Sequence, residues 1–133
     1  MAIGDVTVDL TWDSVVVVAL KVVIAVGIFN VWVLRFGRAT PWRGGGAPNM
    51  KEEFRAYGLP SWSIPIVGAA KLLLAALLLL GIWFSVLTRP AAIGLAILML
   101  GAVAMHFKIK DPPRRALPAF TIVAMCIVVA LLS

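Results

Sequence analysis

Apolar residues fall along this chain in four long runs, over about 15–34, 64–84, 90–107 and 116–132, separated by shorter polar stretches. Each run is close to the ~17 to 25 residues that carry a helix across bilayer hydrocarbon. The pattern predicts four transmembrane helices, over about 13–34, 64–85, 89–107 and 115–132. Composition agrees, because a chain that is 62% hydrophobic with mean hydropathy +1.05 is not a water-soluble domain. Four spans and their turns leave no room for a second domain, so residues 1–133 read as one all-α membrane bundle.

The longest connection, 35–63, divides in two. Pro41, Gly44, Gly45, Gly46 and Pro48 make its first half a turn-rich spacer. Its second half predicts a short helix over about 49–57: Asn49 can cap it with Glu52 three residues on, and Met50, Phe54 and Tyr57 share a face. Gly58 and Pro60 end it. Beside a spanning helix, such a segment is expected to lie along the membrane surface with its aromatic face toward lipid. Thr88, Arg89 and Pro90 predict a tight turn that makes the second and third spans antiparallel neighbours, while Pro112, Pro113 and Pro118 introduce the fourth. Small residues, among them Gly68, Ala75, Ala92, Gly94 and Gly101, allow close helix packing in lipid.

The formal charge of +6 and the pI near 10.3 do not signal nucleic acid, since the basic residues flank apolar segments. Arg35, Arg38, Arg43, Lys51 and Arg55 lie in one connection, and Lys108, Lys110, Arg114 and Arg115 in another on the same side. The other side carries Asp5, Asp9, Asp13 and only Arg89. By the positive-inside rule both basic connections are cytoplasmic and both termini outside, in a bacterial inner membrane. Trp12, Trp32, Trp62 and Trp83 sit at run ends, where indole rings suit the headgroup interface. Cys126 is the single cysteine, so neither an intrachain disulfide nor a CxxC relay can form.

Candidate chemistry rests on a few polar residues inside apolar runs. A charge there costs at least a few kcal/mol unless it snorkels or finds a partner, which makes Lys21 and Lys71 candidate site residues. Lys21 lies nine residues beyond Trp12, roughly 13 Å in, and Lys71 seven beyond Ile64, roughly 10 Å in. Asn30, Lys71 and His106 could meet in one leaflet, with Asp111 just below as a structural ion pair. No apolar run holds a carboxylate. Each lysine therefore snorkels, loses its proton, or faces an anionic or carbonyl-bearing ligand. For Lys21 the snorkelling acceptor is Asp13; for Lys71 the structural alternative is Asp111 or helix-end carbonyls. His106 is the single histidine, and its structural reading is a cap or interfacial residue. No catalytic set, metal cluster or nucleotide loop is visible, and the absence of intramembrane acids argues against a permease.

Several stretches in order resemble the DoxX-like family of small four-helix membrane proteins: Gly58-Leu59-Pro60, Ile66-Val67-Gly68-Ala69-Ala70-Lys71-Leu72, Gly81-Ile82-Trp83, Thr88-Arg89-Pro90-Ala91-Ala92, and Ala104-Met105-His106 through Asp111 to Pro118. Many members carry a glutamate where this chain has Lys71, and a DoxX-like subgroup resembles it in having lysine. The resemblance implies a membrane subunit of a quinone-linked redox system or a partner of oxidative-stress enzymes, and animal relatives include a receptor chaperone. The expected function is a non-catalytic accessory or anchoring subunit holding a quinone or lipid at Lys71, His106, Asn30 and Lys21. The alternative is an assembly factor that binds client transmembrane helices. Expected partners are the bilayer, another membrane protein or redox complex, and a second copy of the chain.

Overall fold

The computed structural model describes Ala2–Ile3, Val6–Thr7 and residues 12–133, with side chains from residue 14 onward. The side chains of Trp12 and Asp13, and the residues Asp5 and Asp9, lie outside the described set. Strands β1 (Ala2–Ile3) and β2 (Val6–Thr7) form a two-residue antiparallel ladder, Ala2 opposite Thr7 and Ile3 opposite Val6. So short a ladder leaves the molecule all-α.

Five α-helices follow among the described residues: α1 (Trp12–Phe29), α2 (Met50–Ala56), α3 (Ser63–Leu80), α4 (Thr88–Lys108) and α5 (Leu117–Leu132). With the short helical turns that extend them, four are long and apolar enough to cross a membrane: Ser14–Leu34, Ser63–Leu80, Ser85–Lys108 and Pro113–Leu132. They run alternately up and down. α1 packs on α3 and α5, and α4 packs on the same two, so the four enclose a common axis. Ile24, Ile28, Leu78, Leu95, Cys126 and Val129 are fully buried there, while Val26, Leu73, Ile97 and Leu131 face outward. An apolar exterior round an apolar core is the arrangement lipid demands, because every backbone polar group is satisfied inside its own helix.

The two ends of the bundle differ. At one lie both described termini of the spanning set and the α3–α4 turn. Thr88, expected inside that turn, instead opens α4 and is buried, after a single 3₁₀ turn at Ser85–Leu87. Arg89 donates to the Ala130 carbonyl at 3.2 Å and to the Ser133 carbonyl, tying down the last turn of α5. At the other, basic end, the connection after α1 folds over the bundle and carries α2. Asn49 caps α2, its Oδ1 accepting the Glu52 N–H at 2.9 Å.

Two expectations are corrected here. The face of α2 formed by Met50, Phe54 and Tyr57 meets protein, not lipid, and all three are buried. Trp32 is not a headgroup ring but a core residue, edge-on to Phe54 with ring centroids 5.9 Å apart. Gly68 makes this possible, since a Cβ there would come within 2.7 Å of the indole.

Candidate functional site

A cavity of about 670 Å³ opens at the basic end, between the four spanning helices and the connection that covers them. Its size suits a small organic ligand, for which pockets run ~300 to 1,000 Å³.

Each wall has a local cause. α1 does not end as an α-helix: Asn30–Leu34 widen into a π-turn, closed by the Arg35 N–H on the Asn30 carbonyl at 2.8 Å. The consecutive residues Asn30, Val31 and Trp32 at this turn all border the cavity. α3 contributes Val67 and Lys71, one turn apart, and α4 contributes Leu98, Met105 and His106. The cap contributes Arg43, Glu53, Phe54 and Tyr57.

Arg43 organises the cap. Buried in the loop, it donates to the Arg38 carbonyl at 2.8 Å, the Phe36 carbonyl at 3.2 Å and Glu53 Oε2 at 2.7 Å. Glu53 Oε1 accepts the Tyr57 hydroxyl at 2.7 Å, one helical turn away. Tyr57 Oη in turn lies 3.4 Å from His106 Nε2, and His106 Nδ1 lies 2.7 Å from Asp111 Oδ2. Arg115 donates to Asp111 Oδ1 at 2.7 Å, and the Gly45 N–H donates to both Asp111 oxygens. The result is one continuous polar chain, Arg43, Glu53, Tyr57, His106, Asp111, Arg115, that fastens the cap to α4 and to the 3₁₀ turn at Pro113–Ala116 that leads into α5. Lys108 adds a bond to the Tyr57 carbonyl at 2.8 Å. A Cβ on Gly44 would come within 2.4 Å of the Tyr57 ring, so only glycine lets the loop cross there.

Burial, followed by the Glu53 carboxylate, pushes the Tyr57 phenol well above its ordinary range, and it remains a proton donor. Asp111 moves the other way. Burial alone would raise it, but the hydrogen bonds from His106, Arg115 and the Gly45 N–H hold the carboxyl below its ordinary value.

Lys71 departs from this pattern. It is 7% exposed and lines the cavity, yet its ammonium has no hydrogen-bond partner among the described residues. Its neighbour is the Trp32 ring, whose centroid is 5.4 Å from Nζ, a cation–π contact. The expected Asp111 contact is replaced, because His106, Arg115 and Gly45 already occupy that carboxylate.

The structure therefore brings Asn30, Lys71 and His106 to one cavity and leaves Lys21 apart from it. Lys21 Nζ reaches toward the opposite end, donating to Thr88 Oγ1 at 2.8 Å and to the Gly81 carbonyl at 3.1 Å. Asn30 Oδ1 accepts Arg35 Nε at 3.2 Å. Sequence reasoning missed Trp32, Arg43, Glu53 and Tyr57 as site residues. Glu53 and Tyr57 were within reach, since four residues apart on a capped helix they share a face. Arg43 had no comparable signal in its Gly/Pro-rich segment.

These features define a multi-pass helical membrane protein with a capped, ligand-sized cavity at the basic end of its bundle. The chain belongs to the DoxX-like family, whose sequence profile matches residues 42–130. The match takes in Lys71, His106 and Asp111, while Lys21, Asn30 and Trp32 precede it. Neither a curated protein nor a solved structure matches the chain.

Proposed function

We propose that this protein is a non-catalytic membrane accessory or anchoring subunit of a quinone-linked redox system that holds a small hydrophobic ligand, a quinone or a lipid, in the capped cavity. One observation carries the reading: a buried lysine inside a membrane span, facing a cavity of about 670 Å³ with no hydrogen-bond partner among the described residues. Lys71 donates to carbonyl or anionic oxygens of the ligand, Asn30 offers its amide nitrogen, His106 borders the cavity with its ring nitrogens turned to Asp111 and Tyr57, and the apolar wall takes the rest. Lys21 is structural on this reading, since two acceptors from neighbouring helices already hold its ammonium.

The client-binding alternative draws less support. A client helix would use an exposed small-residue groove and the Met50 to Tyr57 helix, and the bundle already covers the Met50, Phe54 and Tyr57 face of that helix.

Native mass spectrometry of detergent-released protein, with lipid extraction, tests the proposal. Wild type is expected to retain a stoichiometric quinone or lipid that Lys71→Met loses; equal retention by the variant would overturn it. We further place the protein in a bacterial inner membrane with its basic end cytoplasmic, following the positive-inside rule. Single cysteines at Lys110 and Val86, labelled in intact cells with an impermeant maleimide, check this. Val86 should react and Lys110 should not, with no background from the buried Cys126. The reverse pattern would invert the topology.

A further inference from the structure

The charges around the cavity do not cancel. Two of its arginines are paired, Arg43 with Glu53 and Arg115 with Asp111, each at 2.7 Å. Every oxygen of both carboxylates already has a partner. Glu53 gives one oxygen to Arg43 and the other to Tyr57. Asp111 gives one to Arg115, the other to His106, and both to the Gly45 N–H. Glu53 is the carboxylate whose charge reaches Lys71, yet neither of its oxygens is bonded to it. Two cations are left over. Lys71 is one, with only the Trp32 ring face near its ammonium. Arg35 is the other, exposed at the mouth and bonded through Nε to the uncharged Asn30 amide.

An uncompensated charge in a low-dielectric site is costly, and a ring face offsets only part of that. An anionic head group supplies the missing charge. The remaining wall suits hydrocarbon, with Val67, Leu98, Met99, Ala102 and Ile122. One position on that wall carries no side chain. Gly101 lines the cavity, is exposed on the outer surface, and has nothing within 4 Å of where its Cβ would stand. Sequence reasoning assigned Gly101 to tight helix packing; no residue packs against its Cβ position, which leaves a notch in the helix face. Lys71 and Gly101 lie at similar depth, each seven or eight residues from the basic end of its helix, or roughly 10 to 12 Å.

We propose that the cavity takes a single-chain amphiphile with an anionic head, a carboxylate or a phosphate, seated against Lys71, its tail leaving through the Gly101 notch into the bilayer. This rests on the reading of the cavity as a ligand site and narrows it, since a neutral quinone ring leaves Lys71 without a counter-charge.

The test is equilibrium binding of tritiated oleate to the purified protein in a neutral detergent, with oleyl alcohol, oleoyl lysophosphatidate and decylubiquinone as competitors. Oleate and the lysophosphatidate are expected to bind about 10- to 100-fold more tightly than the alcohol, the usual scale for a charge-assisted bond. The tighter of the two acids identifies the head as carboxylate or phosphate. Lys71→Met should bring the acids to the alcohol's affinity, and Lys71→Arg should preserve their advantage. Gly101→Leu, whose Cβ meets no atom within 4 Å in the fold, should weaken every chain-bearing probe by about tenfold. If the alcohol or decylubiquinone competes as well as oleate, the anionic head is refuted while the ligand site stands. If no probe binds wild type, both fall. Should Lys71→Met fail to fold, the wild-type competition alone still decides.

Discussion

Lys21 and Lys71 pose one physical problem and receive two solutions. Both are buried within spanning helices, at 4% and 7% exposure. Lys21 sends its ammonium to the Gly81 carbonyl and the Thr88 hydroxyl, joining α1, α3 and α4 at one end of the bundle. Lys71, at the other end, faces a cavity and rests on an aromatic ring. A buried charge is therefore no guide to function by itself. What separates a structural lysine from a site lysine is whether neighbouring helices have brought acceptors to it.

The sharpest way to break this comparison is to remove one acceptor. Thr88→Val keeps the shape but leaves the Lys21 ammonium a single partner, and should destabilise the fold by roughly 2 to 3 kcal/mol. Adding Lys21→Met to that variant should restore most of the loss, because the stranded charge goes with it. Lys71→Met alone should leave the melting temperature unchanged or raise it. A similar fall for Lys71→Met and Thr88→Val in thermal melts would erase the distinction between the lysines.

A smaller effect tests the aromatic seat of Lys71. Gly68→Ala drives a methyl into the Trp32 ring and should cost about 2 kcal/mol, with a shift in tryptophan emission. Unchanged emission and melting would mean that the indole has room to move, and that the seat is not fixed by Gly68.

The smallest effect concerns the cap. Asp111→Asn weakens the bonds from His106, Arg115 and Gly45 and should cost about 1 kcal/mol, with faster proteolysis between residues 35 and 62. The pH dependence has a definite sign. The Asp111 carboxyl sits below its ordinary value of 3.8, so its contribution is complete above that pH and disappears as pH falls through the lower folded value. Melting curves of wild type and Asp111→Asn should thus differ at neutral pH and converge in strong acid. A constant gap would exclude Asp111 as the titrating latch.

The architecture was legible because each cue is local. Run length fixed four spans, and Asn49 with Glu52 marked the start of α2. The convergence of Asn30, Lys71 and His106 was legible as a possibility, from depth along each helix. Their companions were not. Trp32 looks like an interfacial ring until Gly68, on another helix, is seen to receive it. The π-turn that borders the cavity has no marker in the stretch Asn30–Leu34.

By itself, then, the sequence determined that this is a multi-pass helical membrane protein with two lysines at intramembrane depth. These follow from hydropathy and rise per residue, which neighbouring elements scarcely alter. Only the tertiary structure decided which lysine is partnered, that the face of α2 closes a cavity instead of meeting lipid, and that Asp111 belongs to His106 and Arg115. Those outcomes depend on acceptors delivered from residues forty or more positions away, or across a proline turn. Helix rotation and packing set such distances, and no local pattern encodes them.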